Sequence, residues 1–143
     1  MALALSEANA AGLRGDVPVG AVILDENDRV IARAHNTREA DCEITGHAEI
    51  RAMQEASRKR GEWRLPDCTL VVTLEPCAMC AGALVQARIG RLVFGAFDDK
   101  AGAVASLWDV VRDPRLNHNP QVVSGVMAEA CAGVLRDFFG QLR

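Results

Sequence analysis

Apolar residues fall along the chain in short runs separated by turn-forming residues, and the runs alternate between helix-like and strand-like character. Residues 2–13 are rich in Ala and Leu and poor in β-branched side chains, which predicts a helix. Gly15 and Pro18 end it. Residues 19–24 and 30–34 are β-rich runs either side of the turn cluster Asp25-Glu26-Asn27-Asp28, so this segment predicts a β-hairpin. Thr45 is placed to cap a helix that includes residues 47–58 and stops at Arg60-Gly61. Residues 69–73 form a short apolar strand that runs through Leu74-Glu75-Pro76 into a helix beginning near Cys77, with Pro76 beside its first turn. Residues 91–94 and 121–124 read as further strands, and 127–139 as an amphipathic C-terminal helix.

After the hairpin the order is helix, strand, helix, strand, then loop, strand, helix. Such alternation requires parallel strands covered by helices on both faces. The expected fold class is therefore α/β, a three-layer α/β/α sandwich around a mixed five-stranded sheet. The chain has 143 residues, enough for one domain with a real core, and it shows no repeat or linker that would divide 1–143.

Composition narrows the setting. Half of the residues are hydrophobic and 24% are charged, the balance of a globular protein. Apolar runs such as 101–107 contain Gly or Ser and are too short to span a membrane. The opening Met-Ala-Leu-Ala-Leu stretch has no basic segment before it and continues as Ser6-Glu7-Ala8-Asn9-Ala10, a surface helix rather than a secretory signal. A cytoplasmic location is expected. Five cysteines, an odd number, argue against a disulfide framework and direct attention to metal or redox chemistry. The net charge of -3 predicts no global attraction to nucleic acid. Any polyanion surface has to be a local patch drawn from Arg58, Lys59, Arg60, Arg64, Lys100 and Arg143.

Two motifs carry chemistry: His47-Ala48-Glu49 and Pro76-Cys77-Ala78-Met79-Cys80. Cys77 and Cys80, three apart in the first turn of a helix, present both sulfurs on one face. The helix N-terminus favours the thiolates that zinc requires. His47, at the start of another helix, adds a neutral imidazole. Three protein ligands leave one tetrahedral position for water, as in catalytic zinc sites, and thiolates with imidazole suit zinc over magnesium or calcium. Glu49, two residues from His47, is then a general acid/base beside the water. Two other readings stay open on these residues. The Cys-x-x-Cys could be a thioredoxin-like redox pair, which leaves His-x-Glu without a role. Alternatively the zinc site could be closed and structural, with Cys42, Cys68, His35 or His118 as fourth ligand.

The match extends past the metal motifs. Asp16-Val17-Pro18-Val19-Gly20-Ala21-Val22, His35-Asn36, Gly46-His47-Ala48-Glu49-Ile50, and the run from Thr73 through Leu74-Glu75-Pro76-Cys77 to Ala83 resemble segments of the bacterial tRNA-specific adenosine deaminases, within the cytidine/deoxycytidylate deaminase superfamily. So do the run from Arg88 to Ala96, Asp98 with Lys100-Ala101-Gly102-Ala103, Asn117-His118 and Asp137-Phe138-Phe139. The resemblance covers nearly the whole chain in the expected order. It implies a cytidine-deaminase-like fold, one Zn2+ per subunit, no organic cofactor, and a homodimer in which each site is shaped partly by the neighbouring subunit. It implies hydrolytic conversion of adenosine to inosine at the wobble position of a tRNA anticodon stem-loop. Zinc-activated water would attack C6 of adenine, and Glu49 would move protons to ring N1 and to the departing ammonia. Asn36 would hydrogen-bond the target nucleotide, Asp98 would lie near its ribose and Lys100 near a phosphate. Asn117 and Arg143 complete the expected substrate-binding set.

This chain departs from such relatives in two places. Its tail, Gly140-Gln141-Leu142-Arg143, lacks their basic cluster, and Phe97-Asp98-Asp99 lacks a basic residue before the aspartate. The competing functions are a deaminase of free nucleobases or nucleosides (guanine or cytosine) on the same scaffold and a non-catalytic, zinc-stabilised nucleic-acid-binding module. The first has no need of the 94–106 loop, Asn117-His118 or a basic C-terminal end; the second has no use for Glu49.

Overall fold

The computed structural model describes residues 1–142; Arg143, expected among the substrate contacts, lies outside the described residues. The elements are α1 (Ala2–Leu13), β1 (Gly20–Leu24), β2 (Val30–His35), α2 (Ala48–Arg60), β3 (Thr69–Leu74), α3 (Ala78–Gln86), β4 (Arg91–Ala96), β5 (Gln121–Val123) and α4 (Ala128–Gln141). The sheet order is β2-β1-β3-β4-β5. β1 pairs antiparallel with β2 and with β3, while β3, β4 and β5 are parallel. This is the expected mixed five-stranded sheet.

The period-two geometry of the strands splits their apolar residues between the two faces. Ile23, Leu70 and Leu92 point into a layer closed by Ala52 and Met53 of α2 and Leu84 of α3. Val22 and Val71, one residue out of phase, meet Ala4 of α1 on the other side. α4 packs beside α1 on that same side, against β4. α1 lies unusually close to the sheet because it presents Ala4, Ala8 and Ala11, all fully buried. A Cβ at Gly20 would stand 2.0 Å from the Ala4 carbonyl oxygen and 2.5 Å from the Ala8 nitrogen, so only glycine permits this approach.

Two helix starts differ from expectation, and both bear on the site. Thr45 does not cap α2. The N-cap is His47, with extended φ -76 and ψ 150, and its carbonyl accepts from Arg51 N at 3.1 Å. Thr45 instead uses its carbonyl to accept from His47 N at 2.8 Å in a tight turn that delivers the chain to the helix. Likewise Cys77 stands just outside α3 as its N-cap, with φ -73 and ψ 175. Both helices therefore begin at the carboxyl ends of the strands, β3 ending at Leu74 and β4 at Ala96. Crevices at that edge are where open α/β sheets take ligands. No helix among the described residues is long and apolar enough to cross a membrane.

Candidate metal centre and substrate cavity

The N-termini of α2 and α3 converge. His47 Nδ1 lies 3.6 Å from Cys77 Sγ and 3.5 Å from Cys80 Sγ. One ligand atom from each residue falls within 4.8 Å of the others. A tetrahedral zinc, with Zn–S of about 2.3 Å and Zn–N of about 2.0 Å, has an S···N edge of about 3.5 Å, so the donor spacing fits that ion. None of Cys42, Cys68, His35 and His118 joins this cluster. His35 Nδ1 pairs with Glu7 Oε2 at 2.8 Å, Cys68 Sγ accepts from Arg60 Nη1 at 3.2 Å, and His118 Nε2 donates to the Ile89 carbonyl at 2.6 Å. With three protein donors and no fourth among the described residues, the arrangement matches an open site rather than a closed structural one.

The electrostatics agree with metal-ligand chemistry. The hydrogen bond from Cys80, followed by that from His47, holds the Cys77 thiol down to about 4 against the opposing effect of burial. The Cys80 thiol is pushed up, first by sharing its proton with Cys77 and then by burial. His47 is raised by its hydrogen bond to Cys77. Zinc needs both sulfurs as thiolates and the His47 Nδ1 lone pair free, so binding a divalent cation displaces the protons that these three groups share.

Glu49 sits in the first turn of α2, only 4% exposed. Burial pushes its carboxyl up to about 7, against the opposing pull of its backbone hydrogen bond and His47. It lines a cavity of about 170 Å³ together with His47 and Cys77. One wall comes from Val17, Asn36 and Arg38, the other from Glu75, Asp98 and Ala101.

Each wall is held by side-chain acceptors. Asn36 Nδ2 donates to the Val17 carbonyl at 3.1 Å, and its Oδ1 accepts from Arg38 N at 3.1 Å. The fully buried Asp16 accepts from Glu39 N at 2.7 Å and Ala40 N at 3.2 Å, fixing the turn that carries Arg38. Opposite, Asp98 Oδ1 accepts from Lys100 N at 3.0 Å and Ala101 N at 3.2 Å. Burial works against the Glu75 carboxylate, but the Ser106 hydroxyl and several backbone N–H groups hold it below the usual range.

A family model described as MafB19-like deaminase matches residues 1–143. The tRNA-specific adenosine deaminase of Bacillus subtilis (strain 168) is 49% identical over 140 residues, which is 98% of this chain and 86% of that protein. The chain belongs to the tRNA-specific adenosine deaminase family. Its fold superposes with TM-score 0.90 and 46% identity on a solved structure from work on A-to-I editing by tRNA:A34 deaminases, covering 94% of this chain and 97% of that one. A guanine deaminase from Nitrosomonas europaea shares the fold with TM-score 0.81 at 24% identity, over 97% of this chain and 82% of that one. The fold is thus cytidine-deaminase-like, and it alone does not select the base.

In this deaminase the structure brings Asn36 and Asp98 into the cavity with His47, Glu49 and Cys77. Lys100 is exposed on the loop beside Asp98. Asn117 is exposed and outside the cavity walls. It precedes His118, whose bond to Ile89 holds this segment at the amino ends of β4 and β5, roughly 20 Å from the cavity at about 3.3 Å per strand residue. The basic residues of 58–60 end α2, opposite the metal end. There Lys59 pairs with Glu55 and Arg60 with Glu26, and Arg64 stacks on Trp63. They do not flank the cavity; Arg38 does. Arg38 carries no signal in the sequence beyond being one charge in a polar stretch, whereas Glu75 was visible within the Leu74-Glu75-Pro76 approach but without a role.

Proposed function

We propose that this deaminase converts adenosine to inosine, with release of ammonia, at the wobble position of a tRNA anticodon. The observation that carries this reading is the buried carboxylate of Glu49 lining one cavity with His47 and Cys77, two members of the His47–Cys77–Cys80 cluster. A tRNA-specific adenosine deaminase 49% identical over 98% of this chain supports the same reading. His47, Cys77 and Cys80 would hold one Zn2+ per subunit, which when bound makes a water acidic enough to serve as a nucleophile at neutral pH. Glu49 takes one proton from the attacking water and passes it to ring N1, where it stays. It then takes the second proton from the new C6 hydroxyl and passes it to the departing amine, so that the oxygen stays on C6 and ammonia leaves. Asn36 has one Nδ2 hydrogen left after its bond to Val17 and can donate it to the target nucleotide. Asp98 spends Oδ1 on the loop amides, so Oδ2 is the acceptor that a ribose 2′-hydroxyl would meet. The target base has to leave the anticodon stack to enter, which costs least for a loop nucleotide. Lys100 supplies positive charge next to the Asp98 wall, and Arg38 supplies it from the opposite wall.

The reading includes a homodimer, supported by the apolar groove that Ile50, Met53, Trp63 and Ala83 line between α2 and α3. It also includes a cytoplasmic location, which the five free cysteines favour, and no organic cofactor. The test is to incubate the purified protein separately with an anticodon stem-loop bearing adenine at the first anticodon position, free adenosine, guanine and cytosine. Inosine is expected in the stem-loop alone. Turnover confined to a free base or nucleoside overturns the tRNA reading.

A further inference from the structure

We propose that Glu75 is a positioning residue: its buried carboxylate shapes the 98–106 loop and through it places Asp98 and Ala101 in the cavity wall. Glu75 follows the last residue of β3 and extends the ladder, its N donating to the Ala96 carbonyl at 2.8 Å. Its side chain is 2% exposed. Oε1 accepts from Asp98 N at 3.1 Å and from Ser106 Oγ at 2.5 Å. Oε2 accepts from Val104 N at 3.1 Å, Ala105 N at 2.8 Å and Ser106 N at 3.0 Å. Five donors from one loop thus converge on two oxygens, which compensates the cost of burying the charge. The loop has no helix or strand of its own, so these bonds take the place of secondary structure.

The loop backbone closes directly over the carboxylate. A Cβ on Gly102 would stand 2.4 Å from Glu75 Cδ and 2.6 Å from the Asp98 carbonyl oxygen, so Gly102 is what permits the wrap. Gly102 also bridges Cys77, and Ala103 N donates to the Pro76 carbonyl at 2.8 Å. Glu75 therefore sits at the joint between the segment that carries a metal-ligand candidate and the segment that carries the substrate wall. The position demands a carboxylate. Gln offers one acceptor oxygen and would direct an NH2 group at backbone N–H donors, leaving like faced with like.

The functional half of this inference rests on the proposed reading that the loop meets the nucleotide; the anchoring half does not. Two variants test it. Glu75→Gln replaces one oxygen by an NH2 group, and Ser106→Ala removes the one side-chain donor among these five while leaving the charge in place. Hydrogen exchange of the metal-loaded wild type and both variants is expected to show amides of residues 104–106 losing protection at least tenfold in Glu75→Gln, with β3 and β4 unchanged. KM for the stem-loop, or for a free base should the wild type turn over only that, is expected to rise about tenfold in Glu75→Gln and about threefold in Ser106→Ala. kcat should stay within threefold and zinc content at one per chain. In an Asp98→Ala background the further rise in KM should fall below twofold. Unchanged loop exchange in both variants overturns the anchor. Loop exchange that rises while KM holds, or a rise in KM that adds in full to that of Asp98→Ala, overturns the positioning role. If Glu75→Gln does not fold, the Ser106→Ala arm decides by the same criteria. Wild-type turnover of a free base alone sinks the tRNA reading yet leaves the loop exchange to judge the anchor.

Discussion

Glu49 combines two properties that rarely coincide: it is nearly inaccessible to water, and it opens a helix beside three metal-ligand candidates. Because it is not needed as a ligand, removing it separates metal binding from proton transfer. Glu49→Ala is expected to retain one zinc per chain by elemental analysis while kcat falls roughly 100- to 10,000-fold. Loss of zinc with activity intact would reverse that assignment. At this scale His47, Glu49, Cys77 and Cys80 were legible as a set because their spacing is local and their residue types are uncommon. Asp16, Arg38 and Glu75 were not. Glu75 reaches donors 23 to 31 positions away, and an isolated carboxylate gives no hint of partners that distant.

Elements were legible where periodicity was strong. The hairpin, the parallel strands and all four helices fell where apolar pattern and turn residues indicated, with ends moved by a few residues. The starts of α2 and α3 shifted for a reason local propensity does not contain: the residues that cap them are held in extended geometry so that their side chains can face each other. α1 shows the same dependence on context, since its alanines matter through the strand they touch. Gly20→Ala forces a Cβ into the α1 backbone, and urea denaturation should show a loss of about 1–3 kcal/mol. A neutral result would mean that α1 can lift from β1 at no cost.

For the whole molecule, a metal held by His47, Cys77 and Cys80 would tie two helix starts together at one edge of the sheet, so it should contribute stability as well as chemistry. A ligand that binds only the native state at about 1,000 times its Kd adds about 4 kcal/mol. For a chain of this length that corresponds to roughly 10 °C in Tm. Exhaustive chelation should lower Tm by about that amount, with recovery on adding zinc but not magnesium. An unchanged Tm in verified metal-free protein would show that the cluster forms without help from an ion. Charge is also decided at this scale. The run Arg58-Lys59-Arg60 is basic in sequence, yet it closes the far end of α2, roughly 20 Å from the metal end at about 1.5 Å per residue.

The sequence by itself determined the layered α/β/α plan and the His/Cys/Cys donor set with a carboxylate two residues from its histidine, because each is written in short-range spacing. Only the tertiary structure decided which donors share a cavity and which cations flank it. It also placed Asn117 at the opposite end of the sheet and showed that a buried carboxylate binds the 98–106 loop to the segment carrying Cys77. Those features depend on contacts between residues far apart in the chain, and they exist only once packing has brought the strand ends and helix starts to one edge.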